Sequence, residues 1–102
     1  MKIIKFLSDK IEDELNDSCS YIDAALQWKE SEPDTAEVFY ELSLEEMKHM
    51  ERLHNEVVEI IRSYRENNGD PPKEMMALYN YLHEKHSERA MTIRVKQGLY
   101  KS

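Results

Sequence analysis

Glutamate and histidine occur at positions where two apolar helix stripes would otherwise continue, and these residues have the chemistry to hold a metal ion. Glu46 and His49 are three residues apart, a spacing that puts a carboxylate and an imidazole on one helix face. Glu14 occupies a comparable position earlier in the chain, and a carboxylate from a neighbouring helix can complete part of such a ligand set. Carboxylate and imidazole together suit iron, manganese or zinc. The spacing therefore predicts a metal site at Glu14, Glu46 and His49.

A hydrogen-bonded polar layer is the alternative explanation for these residues. Leaving Glu14 or Glu46 buried without a partner would be costly, and a metal, a proton or an ion pair with His49 would each relieve that cost. Helical seams also use polar layers to fix their register. The Glu-x-x-His spacing alone is not specific, because Glu51 and His54 repeat it on the same segment.

Further candidates lie near these positions in the predicted helices. Tyr21 follows Glu14 by seven residues on the same helix face, so its hydroxyl could donate to a metal-bound carboxylate or its ring could simply pack. His83 and His86 could supply additional outer ligands, or they could belong to a solvated face. Both alternatives remain open for each of these residues.

Composition limits the class of protein. The chain of 102 residues predicts a single domain over 1–102, and two glycines, three prolines and 34% charged residues favour long amphipathic helices. A net charge of −7 disfavours nucleic-acid binding. No apolar run reaches the roughly 18 residues of a membrane span. One cysteine, Cys19, and a start that does not resemble a signal peptide lead us to expect a cytoplasmic protein.

Two breaks divide the chain into three predicted helices, so the expected fold class is all-α. Pro33 interrupts the first apolar stripe, and Asp34 is expected to cap the next helix. Gly69 can adopt the left-handed backbone conformation that ends a helix. Asp70 is the expected cap of the third helix, with Pro71 in its first position. The first break is short, which predicts a long antiparallel hairpin. The expected helices span about residues 3–30, 35–66 and 73–100.

The second helix carries two apolar faces rather than one, which indicates that it packs against more than one neighbour. One face would meet the first helix, and the other would meet the third helix or a second copy. We therefore expect a homodimer, or a higher homo-oligomer, in which two hairpins complete a four-helix bundle. The two stripes are Phe39, Leu42, Glu46, His49, Leu53, Val57, Ile60 and Tyr64, and Leu44, Met47, Glu51, His54, Val58 and Ile61.

Residues 4–64 resemble the rubrerythrin and ferritin superfamily. In that family a glutamate precedes a tyrosine by seven positions on the first helix, and a small residue, a phenylalanine, a glutamate and a histidine follow at fixed spacing on the second. The interval of 32 positions from the first glutamate to the second is also close to the family's interval. The corresponding residues of this chain are Glu14, Tyr21, Ala36, Phe39, Glu46 and His49.

This resemblance implies a ferritin-like fold and a di-metal site, with iron as the expected metal. Members of the superfamily usually carry two hairpins, whereas this chain has one, so it is similar to half-ferritins such as the encapsulated ferritins. The implied function is di-iron binding at a dimer interface, with Fe(II) oxidation of the ferroxidase type as its activity if it is an enzyme. Residues 95–102 do not resemble the peptide that docks encapsulated ferritins, so no encapsulin shell is expected. The alternative is a helical oligomerisation or adaptor protein with a vestigial metal site.

Overall fold

A computed structural model describes residues 2–102 of the chain as three long helices. They are α1 (Lys2–Trp28), α2 (Pro33–Asn68) and α3 (Lys73–Lys101), and no strand occurs among these residues. The all-helical class and the order of the three helices are thus confirmed. Met1, the first residue of the expected domain, lies outside the described residues. Within residues 2–102, no helix combines the length and hydropathy needed to cross a membrane.

Proline sets where α2 and α3 begin, and it does so differently from the prediction. Pro33 is itself the first residue of α2, where its missing N–H costs no hydrogen bond, and Asp34 lies inside the first turn. Asp70 does not cap α3, which starts only after Pro72. Because a residue that precedes proline disfavours helical dihedrals, Pro71 cannot open that helix.

Gly69 ends α2 as predicted. Its φ is +78°, a region that residues with a side chain rarely adopt, and its N–H donates to the backbone oxygen of Arg65 at 3.1 Å.

The core lies between α1 and α2, and on both helices it is rotated slightly from the predicted stripes. On α1, Leu15 and Ile22 are fully buried, whereas their neighbours Glu14 and Tyr21 lie at the edge of the interface. The predicted polar interruptions therefore do not sit in the centre of the seam. The buried apolar side chains of the two helices are Ile4, Leu7, Ile11, Leu15, Ile22, Ala25, Ala36, Met47, Met50, Val57 and Ile61.

The second half of α3 packs against the α1–α2 hairpin. Ala90, Ile93, Gln97 and Tyr100 are buried there, one or two turns apart along the helix. Nζ of Lys29 donates to the backbone oxygen of Tyr100 at 2.6 Å, which joins the end of α3 to the end of α1. The chain therefore runs along the molecule three times within extents of 56 × 20 × 17 Å.

Candidate metal centre

Glu14 of α1 and Glu46 and His49 of α2 come together near the middle of the hairpin. Each contributes one potential ligand atom, and these atoms all lie within 4.8 Å of one another. Nδ1 of His49 is 3.5 Å from Oε2 of Glu14 and 3.7 Å from Oε2 of Glu46. The separations are those of ion pairs rather than hydrogen bonds. The three residues singled out by spacing thus form one cluster, whose size would admit a metal ion.

Buried polar contacts next to the cluster fix the register of the helices. Ser18 lies four residues after Glu14, and Ser43 lies three residues before Glu46. Each serine hydroxyl lies within hydrogen-bond distance of the other's backbone oxygen, at 2.8 and 2.9 Å. Nε2 of Gln97 on α3 donates to Oγ of Ser43 at 3.0 Å. A slip of either helix would break these bonds and separate the two carboxylates.

Two carboxyl groups lie close together in the cluster, and their negative charges are not fully compensated. Oε2 of Glu14 is buried and has no hydrogen-bond partner within residues 2–102. The pKa of Glu46 is raised to about 7, first by the adjacent carboxyl group of Glu14, which favours a shared proton, and then by burial. The charges of Glu14 and Asp17 raise this pKa further, and that of His49 lowers it. A divalent cation would relieve both the unpartnered oxygen and the repulsion.

The cluster opens to solvent on one side. The side chains of Glu14 and Glu46 are 25% and 18% exposed, whereas that of His49 is 53% exposed. A shallow cleft of about 340 Å³ borders the cluster, and Arg52, Leu53, Glu56, Glu14 and His49 line it. An ion bound by these three ligands would therefore keep an open side toward the solvent or toward a second protein surface.

Tyr21 lies beside the cluster through its ring. The ring stacks on that of Phe39, with centroids 6.1 Å apart. Among residues 2–102, its hydroxyl makes no hydrogen bond to Glu14 or Glu46. A role in orienting a bound carboxylate stays a prediction, whereas packing against Phe39 is observed.

The structure does not bring His83 and His86 to this cluster. Both line a larger cleft of about 800 Å³ between the hairpin and α3, together with His54. The second Glu-x-x-His pair also faces that way, since Glu51 bonds to Arg94 of α3 at 2.8 Å. The larger of these two clefts is therefore not at the carboxylate cluster, and the prediction that His83 and His86 add ligands there has no support in their positions.

The two sites lie on opposite faces of the hairpin. On α2, Glu51 follows His49 by two residues and is therefore about 160° around the helix axis. On α1, Asp23 follows Glu14 by nine residues and is about 180° around. Both residues bind α3, Glu51 through Arg94 and Asp23 through Lys96 at 2.8 Å. Consequently α3 leaves the face around Glu14 and His49 uncovered.

Sequence reasoning did not foresee the Ser18, Ser43 and Gln97 contacts. Ser18 and Ser43 are fully buried. A small polar residue at an apolar position of each of two facing helices was the available signal. Only the alignment of the helices shows that these two serines are partners.

No protein-family model, curated protein or solved structure matches this chain.

Proposed function

We propose that the protein is a ferritin-like metal-binding protein whose site is completed when two copies dimerise. The main support is the buried Oε2 of Glu14, which has no hydrogen-bond partner among residues 2–102, next to a second carboxyl group whose pKa is raised to about 7. Groups in this condition are stabilised when a cation replaces the shared proton. Two carboxylates and one imidazole favour iron or manganese, and zinc also accepts this ligand set.

Dimerisation would place the open side of one cluster against the same side of another. The uncovered face carries half-buried apolar side chains on both sides of the cluster, Tyr21 and Phe39 toward the hairpin loop and Leu53 toward the other end. An isologous pairing of this face would bury them and bring six ligands together. That arrangement forms a four-helix bundle with two metals, and α3 remains on the outside.

Each residue has a specific task in this proposal. Glu14 and Glu46 supply the negative charge and could bridge two ions, while His49 in its neutral form supplies a nitrogen ligand. Glu46 must lose its proton when the metal binds, so binding releases a proton below about pH 7. With iron bound, the site would supply the one-electron redox chemistry of Fe(II) oxidation.

A structural polar layer is the second candidate function, within an adaptor or oligomerisation protein. Its support is the position of His49, whose Nδ1 is within ion-pair distance of both glutamates. A protonated His49 would neutralise one carboxylate without a metal. In that case the cluster would define the pairing of helices and have no ligand.

Metal content of the purified protein separates these candidates. We expect about one Fe(II) or Mn(II) per chain after anaerobic loading and desalting, measured by elemental mass spectrometry on material whose mass is determined by light scattering. Glu46→Gln should lose the metal while retaining its helical circular dichroism. Glu51→Gln is the matched control, because it changes the other Glu-x-x-His pair of α2.

The metal contents of the wild type and of the Glu46 and Glu51 variants distinguish the two functions. Loss of metal in the Glu46 variant alone, with a dimeric wild type, supports the shared site. A folded wild-type dimer that takes up no iron, manganese or zinc would establish the polar layer instead. Equal loss in the Glu46 and Glu51 variants would show that the metal binds elsewhere.

A further inference from the structure

Three of the four histidines of the chain lie together in the larger cleft, away from the carboxylate cluster. His54 of α2 stacks on His83 of α3, with ring centroids 4.9 Å apart and planes 25° from parallel. Tyr79 continues the stack from His83 at 5.8 Å. His86 follows one turn later and lines the same cleft. These rings form a contact between α2 and the first half of α3, which we refer to as the histidine stack.

The first half of α3 is less deeply buried than the second, although Met76 and Tyr79 pack against the core at its edge. Among residues 73–89 no side chain is fully buried, whereas the second half of the helix buries Ala90, Ile93, Gln97 and Tyr100. The second half also has polar anchors, such as the bond from Tyr100 Oη to Glu37 at 2.8 Å. Local opening is favoured where few apolar contacts are buried. The first half of α3 is therefore the part of the helix that opens more readily from the hairpin.

The surroundings of the histidine stack disfavour the charged forms of His54 and His86. Burial lowers the pKa of His54 below its ordinary 6.5, and the charge of His83 lowers it further. Burial also lowers the pKa of His86, as do Arg89 and the other two histidines, although Glu12 of α1 opposes this shift. Protonation would therefore place like charges on rings that are in contact.

The remaining charges of the cleft do not compensate for those protons. Glu51 is the acidic residue that lines the cleft, and it is already bonded to Arg94 at 2.8 Å. That bond also pairs the charge of Arg94 with Glu51. Within residues 2–102, the cluster of three ligand residues that could hold a metal ion is that of Glu14, Glu46 and His49, and His54 and His83 are not part of it. The geometry of the cleft favours a switch over a ligand site.

We infer that the first half of α3, residues 73–89, is a pH-responsive flap that loosens from the hairpin when His54, His83 and His86 become positively charged. Loosening would expose the apolar floor of the cleft, which Ile11, Met50 and Val57 form. The second half of α3 would stay anchored by its buried residues.

The direction of the pH dependence follows from linkage. A histidine with a lowered folded-state pKa stabilises the closed state above its unfolded value of 6.5. This contribution is lost as pH falls through that value. The flap should therefore be closed at pH 7.5 and loosened at pH 5.

Hydrogen exchange of the full-length, metal-free protein tests the inference. Exchange is measured by mass spectrometry at pH 7.5 and pH 5.0, and each rate is normalised to its intrinsic rate at that pH. We expect a several-fold fall in protection within residues 73–89 at pH 5.0. Protection within α1 and within residues 90–101 should change less.

Glutamine variants identify the cause. The triple variant His54→Gln, His83→Gln and His86→Gln should lose the pH dependence in residues 73–89. His49→Gln, which removes the one histidine outside the cleft, should retain it. The single variant His83→Gln serves the same test if the triple variant fails to fold, and it should reduce the pH dependence.

Two results would contradict the proposal of a pH-responsive flap. One is normalised protection in residues 73–89 that does not change with pH in the wild type. The other is a loss of protection that persists unchanged in the cleft variants, or that spreads equally over all three helices. Metal binding at Glu14, Glu46 and His49 is measured separately, so either proposal can fail without the other.

Discussion

The hydroxyl of Ser18 lies 2.8 Å from the backbone oxygen of Ser43, and the hydroxyl of Ser43 lies 2.9 Å from the backbone oxygen of Ser18. Two buried serines on facing helices thus bind each other's backbone. Because both side chains are small, α1 and α2 can approach closely here. Glu14 and Glu46 lie within four residues of this contact, so the contact fixes their positions relative to each other.

Replacing Ser43 by alanine should destabilise the protein by about 1–3 kcal/mol, since it removes the acceptor of the Gln97 amide and the hydroxyl that donates to the backbone oxygen of Ser18. Urea unfolding followed by circular dichroism measures this change. Ser20→Ala is the control, because Ser20 is exposed on the same helix as Ser18, and its effect should stay within about 0.5 kcal/mol. Equal effects of the two substitutions would contradict the role of the serine pair.

Removing the charge of Glu46 should stabilise the metal-free protein. Because its folded-state pKa is about 7 against an ordinary 4.5, the ionised carboxylate costs stability above pH 7, and this cost disappears as pH falls toward 4.5. Glu46→Gln should therefore be more stable than the wild type by roughly 1–2 kcal/mol at pH 8. At pH 5 the two proteins should unfold at similar urea concentrations.

This gain in stability should come with loss of metal binding, a trade-off typical of functional sites. If the metal-free wild type is more stable than Glu46→Gln at pH 8, the two carboxyl groups do not repel one another. The chelator must be present throughout, since bound metal stabilises the folded state.

The two glycines should respond to alanine in opposite directions. Gly69→Ala should cost about 1 kcal/mol, because φ of +78° is unfavourable for a residue with a side chain. Gly98→Ala should stabilise by up to about 0.5 kcal/mol, because Gly98 is within α3. No atom lies within 4 Å of either added Cβ, so backbone preference alone sets both signs. Thermal unfolding of both variants provides the measurement, and a shift of the same sign in both would refute this explanation.

A lysine at Leu53 should weaken the proposed dimer. Leu53 borders the carboxylate cluster on the uncovered face, and an interface there would have to desolvate the new charge. We expect the dimer dissociation constant to rise about tenfold or more, as measured by sedimentation. Val58→Lys is the control, because Val58 is 48% exposed and lies about 140° from Leu53 around α2. Equal weakening by both lysines would argue for a different interface.

Much of the fold could be predicted from the residues that end helices and from the helical spacing of apolar residues. Pro33 and Gly69 marked the two breaks, and the long apolar stripes between them gave three helices in the right places. The exact interface could not be predicted this way. Steps of three and four fit Glu14 and Leu15 almost equally. Full burial of Leu15 and partial burial of Glu14 depend on how the two helices rotate to close the core.

The candidate site shows a similar division. Local spacing brought Glu46 and His49 to one face, and the position of Glu14 opposite them was expected from an antiparallel hairpin. The location of His83 and His86 relative to the cluster depends instead on which face of the hairpin α3 covers. The apolar pattern of α3 is weak, and its docking combines a few buried residues such as Ile93 with polar contacts such as that of Lys96 with Asp23, which a stripe does not reveal.

An odd number of long helices also separates the two ends of the chain. Lys2 begins α1 at one end of a molecule 56 Å long, and Ser102 lies at the other, where Nζ of Lys29 reaches its backbone oxygen at 3.3 Å. Dyes attached at residue 102 of two copies would therefore transfer energy efficiently if the hairpins associate side by side in the same direction. In an antiparallel pair they would be separated by most of the length of the molecule. One spectroscopic label thus reports the direction in which two copies pair.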